Sequence, residues 1–167
     1  LPILADGTLG NAVHQGTSEV VSIAVHPSGA YLYALDANGY LRTLSIDAST
    51  GALKQTAQTS ASFAGAPTSL AIDGRGRMLS LVDATDNVQQ TYAITDTIAG
   101  TLGTPFAIRG LVRPVATAFD PSREGVNYLV DANSLYRRTI DPVAASYATA
   151  STGTIVPTVK AMVLVNR

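Results

Sequence analysis

An all-β fold of propeller blades, each a sheet of four antiparallel strands, is predicted for this 167-residue chain by three features of its sequence. One pattern opens at Ser22, Ser69 and Ala116, at a constant spacing of 47 residues. The Asp of a "(Leu/Val)-Asp-Ala" element recurs at Asp36, Asp83 and Asp131. Each unit reads strand, turn, strand, turn, and a period of about 40 to 50 residues with that pattern marks a blade rather than a helical solenoid.

The elements follow in order. Residues 1–19 align with the third and fourth strands of a unit, since Leu1 to Gly10 matches Leu44 to Lys54, so they predict the outer strands of an incomplete blade. Residues 20–67 form the first whole blade. Its inner strand starts at Val20 and ends at the His26-Pro27-Ser28-Gly29 turn, with Ser22 and Ala24 on one face, expected toward the channel, and Ile23 and Val25 on the other. Ala30 to Leu35 makes the second strand, stopped at Asp36-Ala37-Asn38-Gly39, where Asn-Gly is a strong hairpin signal. Tyr40 to Ile46 alternates apolar and polar residues as a half-buried strand does. Ala52 to Ala57 is more polar and carries Lys54, as suits an outer edge. Residues 68–115 and 116–159 repeat the plan, each inner strand preceded by proline at Pro67, Pro114 and Pro157. Residues 160–167 supply the inner strand of a further blade, from Lys160 to Val165.

The chain thus predicts about 3.5 blades of one domain, part of a roughly seven-bladed ring, because an open arc exposes apolar blade faces. The remainder is expected from the rest of a parent propeller, from a second chain, or from a second copy in a homodimer; a closed four-bladed monomer is the remaining arrangement.

Composition narrows function by exclusion. A net charge of −1, with Lys54 and Lys160 the only lysines, gives no basic surface for nucleic acid. No apolar run is long enough to insert in a membrane. The absence of cysteine removes disulfides, thiolate metal sites and cysteine nucleophiles. A Cys-free, Lys-poor chain rich in Thr, Ser, Ala and Gly matches exported bacterial β-proteins, extracellular or periplasmic.

The phrase Ala24-Val25-His26-Pro27-Ser28-Gly29-Ala30-Tyr31-Leu32-Tyr33, with Ile46-Asp47-Ala48-Ser49-Thr50-Gly51-Ala52-Leu53 after it, resembles the bacterial lactonase-like propellers. These include 6-phosphogluconolactonase and carboxymuconate cyclase relatives and the broader YVTN repeat proteins. The resemblance covers nearly the whole chain and implies blades rather than an activity, since these positions are structural in every blade. No motif matches the Glu, Arg and His groups that lactonase-like enzymes bring to the channel mouth, so no catalytic residue is carried over. Tryptophan is absent, which disfavours WD40 repeats.

The candidate sites are few. The recurring Asp36, Asp83 and Asp131 are expected to close turns by accepting backbone N–H bonds rather than to hold a metal. Asp83 to Asn87 is oxygen-rich but lacks the Gly and distal Glu of an EF-hand calcium loop. His26 replaces Asp73 and Asp120 in the repeat and reads as a turn residue; His14 is expected to face solvent. No nucleophile elbow or phosphate loop appears, and no cofactor or metal is expected. The loops leading into the inner strands converge at one mouth of the channel, and they bring Arg109, Arg113 and Glu19 there as candidate ligand-binding groups; two arginines suit a carboxylate or phosphate. The expected function is a non-catalytic binding or structural module with a protein or carbohydrate ligand. The alternative is a lactonase-like hydrolase whose Arg109 and Arg113 orient an anionic lactone.

Overall fold

The computed structural model of the chain describes residues 19–61, 65, 67–141, 143–144 and 146–154. The outer strands expected within residues 1–18, the inner strand expected at 160–165, and His14 lie outside the described residues. Among the described residues there are thirteen strands and no helix.

The first sheet runs β1 (Val20–Val25), β2 (Tyr31–Asp36), β3 (Tyr40–Ile46) and β4 (Leu53–Ser60), antiparallel in chain order. The second has β5 (Pro67–Ile72), β6 (Met78–Asp83) and β7 (Val88–Asp96). Its outer strand is split into β8 (Thr101–Leu102) and β9 (Phe106–Ile108), both pairing with β7. The break falls at Gly103-Thr104-Pro105, where Pro105 has no N–H for a ladder. The third sheet is β10 (Ala116–Phe119), β11 (Val126–Val130), β12 (Ser134–Asp141) and β13 (Ser146–Thr154). Three successive antiparallel sheets of this order are blades of a β-propeller.

Register ties the repeats together. Ala24 lies opposite Tyr33, Ala71 opposite Ser80, and Ala118 opposite Tyr128, so these pairs hold the same place in each blade. Because side chains alternate between sheet faces, Tyr31, Tyr33 and Leu35 all point toward the second blade. There they join Leu41 and meet Leu70, Leu79, Leu81, Tyr92 and Ile94 in one buried cluster. This first seam between blades is apolar and rich in tyrosine.

The second seam is divided. Met78, Phe119 and Ile140 cluster toward one end, and Val82, Leu111 and Leu129 toward the other. Between them lie Ser80, Gln89, Thr91, Thr117, Asn127 and Arg138, all buried and polar.

The small residues of the inner strands do not line the channel as their size predicts. Ala24 packs against the first-seam cluster, and the Leu70 N–H donates to Ser22 Oγ at 3.1 Å. The Thr117 N–H likewise donates to Ser69 Oγ at 3.3 Å, so smallness at these positions lets neighbouring inner strands approach and a hydroxyl satisfy an otherwise unpaired edge N–H. The opposite face of β1 carries Ile23 and Val25, which are 60% and 50% exposed.

Candidate functional site

The chain order puts the loops into the inner strands and the turns between second and third strands at one end of every blade, the end where Glu19, Arg109 and Arg113 were expected. The recurring aspartates build that end. Asp36 Oδ1 accepts the N–H groups of Asn38 and Tyr40 at 3.0 and 2.9 Å, and Arg42 Nη2 reaches Oδ2 at 2.8 Å. Asp83 Oδ1 accepts from Thr85 and Asp86 at 2.7 and 2.8 Å. Asp131 Oδ1 accepts from Asn133 and Ser134, both at 2.8 Å, while its Oδ2 takes the Val112 N–H at 2.9 Å and the Tyr136 hydroxyl at 3.0 Å. Burial and the neighbouring carboxylate push the Tyr136 hydroxyl above its ordinary pKa. These carboxylates close turns, as their place before Asn, Thr and Ser predicts. No group of three His, Cys, Asp or Glu suited to a metal occurs among the described residues.

The loop from Arg109 to Pro114 is pinned at four points. Leu111 is buried against Val82 and Leu129. The Val112 N–H reaches Asp131, the Arg113 N–H donates to Asn87 Oδ1 at 2.7 Å, and the Thr68 hydroxyl donates to Pro114 O at 3.3 Å. Arg113 and Asn87 are the non-glycine residues with positive φ among those described, at 48° and 54°. A left-handed backbone costs a β-carbon residue roughly 1 kcal/mol, and here it is held by the contact with Asn87, in the β6–β7 turn of the same blade. The result fixes the Arg113 backbone while its side chain stays exposed. Arg109, after the fully buried Ile108, is exposed too, and so is Glu19, whose carbonyl accepts the Ala37 N–H at 2.8 Å. Among the described residues the three side chains form no ion pair with one another.

His26 sits at the other end of its blade, buried to 5% exposure. Its Nε2 donates to the Gly76 carbonyl of the next blade at 3.0 Å, and its Nδ1 accepts from the Ser28 N–H at 3.1 Å. Its ring stacks on Tyr31 at 4.3 Å and 22°. The turn role is confirmed, and a contact between blades is added to it. Gly76 serves this contact, since a Cβ there would overlap His26 Nε2 and its φ is +68°.

Sequence reasoning missed the polar centre of the second seam. Gln89 Nε2 donates to Ser80 Oγ at 2.7 Å and to Asn127 Oδ1 at 2.8 Å, and Gln89 Oε1 accepts from Arg138 Nη1 at 2.9 Å. Asn127 Nδ2 donates to Thr117 Oγ1 at 2.9 Å. The Arg138 guanidinium lies 4.5 Å from the Tyr136 ring centroid and 5.6 Å from that of Tyr147. Burial pushes the Arg138 pKa down, yet the amide oxygen and two ring faces keep the cation accommodated. The group joins two blades.

No protein-family model and no curated protein matches the chain. Solved structures do. A protein described as a "putative 6-phosphogluconolactonase" from Bacteroides uniformis superposes with a TM-score of 0.79, with 13% identity over 95% of this chain and 52% of that one. The periplasmic gluconolactonase PpgL of Pseudomonas aeruginosa gives 0.67 with 19% identity, over 80% of this chain and 39% of its own. Sqt1 of Saccharomyces cerevisiae gives 0.71 with 11% identity, over 84% and 36%. At these identities the likeness shows the β-propeller fold, and this chain spans between about a third and a half of those proteins' lengths.

Proposed function

We propose that this chain is a non-catalytic propeller module of an exported bacterial protein, a binding or structural platform whose ring is completed by further sequence or by a second chain. The observation that carries this reading is the use of the chain's recurrent acids and of His26: Asp36, Asp83 and Asp131 close turns, and His26 bridges blades, so none is presented to a substrate. Arg109, Arg113 and Glu19 remain as exposed groups at one end of the arc, suited to the charged or hydroxyl groups of a protein or carbohydrate ligand. Export rests on the composition, and the periplasmic gluconolactonase among the structural neighbours supports it. Completion of the ring rests on the exposed face of β1, where Ile23 and Val25 occupy positions that a neighbouring blade covers in the other sheets. Light scattering on the chain tests completion: a stable monomer excludes the homodimeric ring, and a dimer of defined mass supports it.

The strained, pinned Arg113 favours a second reading, a lactonase-like hydrolase in which Arg113 and Arg109 orient an anionic lactone. A pH-stat assay on 6-phosphogluconolactone and gluconolactone separates the two. Hydrolysis above background that Arg113→Ala removes favours the hydrolase; no hydrolysis by the folded protein favours the non-catalytic module.

A further inference from the structure

The second seam contains a cavity of about 460 Å³ at the end of the blades opposite Arg113. Its apolar wall is Met78, Ala93, Ile94 and Ile140, and Arg77 and Glu124 stand at its mouth. The first seam shows what such a space holds. There the Tyr31 ring is stacked on His26 at 4.3 Å and set edge-on to Tyr33 at 5.5 Å. Gly100 closes over it so tightly that a Cβ would lie 2.7 Å from Tyr31 Cε2.

One period later the three rings are gone. Tyr31, His26 and Tyr33 become Met78, Asp73 and Ser80. Asp73 turns back on its own loop, accepting the Met78 N–H at 2.7 Å, and Ser80 faces Gln89. Gly76, which His26 requires to be small, gives way at the corresponding turn to Glu124, whose carboxylate pairs with Arg75 at 2.7 Å and with Arg77. Of the three replaced positions Met78 alone lines the cavity, so the space beside the place of the Tyr31 ring stays open here while the place of Tyr33 is taken up by the contact between Ser80 and Gln89, and two arginines share the Glu124 carboxylate at the mouth. The remaining carboxylate of the lining, Asp141, accepts the Val143 and Ala144 N–H groups at 2.9 and 3.0 Å. Nothing there selects a charged guest.

We infer that this cavity is a binding site for a neutral planar aromatic molecule, a phenol or other single-ring aryl compound, seated between the second and third blades where the first seam seats its own Tyr31 ring. Met78 holds the position that the first seam gives to a phenol side chain, and the cavity's apolar wall with a polar mouth suits a ring carrying one hydroxyl.

p-Cresol, the side chain of tyrosine as a free molecule, is the probe. Titrated into protein labelled at isoleucine and alanine methyl groups, it is expected to shift the Ile140 and Ala93 methyl signals by its ring current, saturating with a Kd of about 0.1 to 1 mM, as befits a ligand of so few atoms. The saturated analogue 4-methylcyclohexanol, which forgoes the contact of an aryl ring with the Met78 sulfur, is expected to bind at least about 3-fold more weakly. Met78→Tyr, which returns the first seam's ring to this place, is expected to weaken p-cresol by at least about 10-fold and to raise the melting temperature. Should that variant not fold, Ala93→Leu fills the same space from the adjoining strand and is expected to weaken binding likewise. The inference is overturned if the Ile140 signal shows no saturable shift up to about 10 mM p-cresol, if the saturated analogue binds equally well, or if a folded filling variant binds as the parent does.

Discussion

His26→Asp separates two roles that one residue combines. In the second and third blades the same position is Asp73 and Asp120, and their carboxylates close the turn by accepting N–H bonds from Arg75, Arg77 and Met78 or from Ser122 and Arg123. Aspartate at position 26 therefore keeps the turn. It loses the Nε2 bond to the Gly76 carbonyl at 3.0 Å and the stack on Tyr31 at 4.3 Å. A buried hydrogen bond contributes about 1 kcal/mol and an aromatic pair about another, so the variant is expected to be less stable by about 2 kcal/mol. For a chain of this length that corresponds to a fall in Tm of about 4–8 °C, followed by near-ultraviolet circular dichroism of the tyrosines. Gly76→Ala supplies the second corner of a cycle. Alone it meets both the His26 ring and the left-handed φ of +68°; with His26→Asp already present only the backbone cost of roughly 1–2 kcal/mol remains. The double variant should thus be more stable than the two single effects added together, by at least about 1 kcal/mol. Strict additivity, or a His26→Asp variant melting with the parent, would refute the contact between blades as a source of stability.

Tyr33→Phe removes only the hydroxyl that donates to the Gly100 carbonyl at 2.9 Å, and it is expected to cost about 1 kcal/mol, or 2–4 °C in Tm by thermal melting. Alkaline pH should destabilise the chain: burial pushes the Tyr92 hydroxyl up to about 12 and Tyr33 higher still, against an ordinary value of 10.0. The folded state holds these protons after the unfolded chain releases them, so the stabilisation is fully present below pH 10.0 and is lost as pH rises to about 12, by up to about 3 kcal/mol for Tyr92. Urea midpoints measured between those limits should fall, and less steeply in Tyr92→Phe. Gln89→Leu removes the one amide oxygen that Arg138 Nη1 reaches and leaves a buried guanidinium without it, for an expected loss of about 3 kcal/mol by urea denaturation.

The strands and turns were legible because each is written three times. Alternation marks the half-buried β3, Asn38-Gly39 marks its hairpin, and an aspartate before two or three small polar residues marks an Asx turn whose geometry the chain obeys. The seams were not legible, because a repeat read by its common features hides the positions that break it. Leu32, Leu41 and Leu44 of the first blade correspond in register to Asn127 of the third, Gln89 of the second and Arg138 of the third. Each polar residue taken alone looks like surface variation. Placed in register they fall on facing sides of one seam, and that coincidence is the signal available in the sequence. Arg137 and Arg138 are neighbours on β12, so alternation sets them on opposite faces of the strand, and the face that takes Arg138 is an interior one. Arg113 was legible by its place in a loop, whereas its positive φ depends on Asn87, 26 residues earlier in the chain, a contact that no local pattern announces.

A chain of blades built on one plan must also stack them in one order, and the two seams differ in a way that enforces it. The forward face of the first blade offers Tyr33, Leu35 and Leu41, and that of the second offers Ser80, Gln89 and Thr91. A third blade misplaced onto the first would set Asn127 and Arg138 against tyrosine and leucine, leaving an amide and a guanidinium buried without partners, at several kcal/mol. Correct stacking recovers little beyond what apolar residues would supply, so the polar seam discriminates more than it stabilises. Replacing the group with the chain's own apolar solution tests this. The triple variant Gln89→Leu, Asn127→Leu, Arg138→Leu should regain most of the stability that Gln89→Leu alone loses, since no charge is left unpaired. On refolding from urea it should give a larger fraction of misassembled oligomers than the parent, read by size-exclusion chromatography, because any forward face now accepts any following blade. A triple variant as unstable as the single one, refolding as cleanly as the parent, would mean that the network stabilises the seam directly and that blade order is set elsewhere.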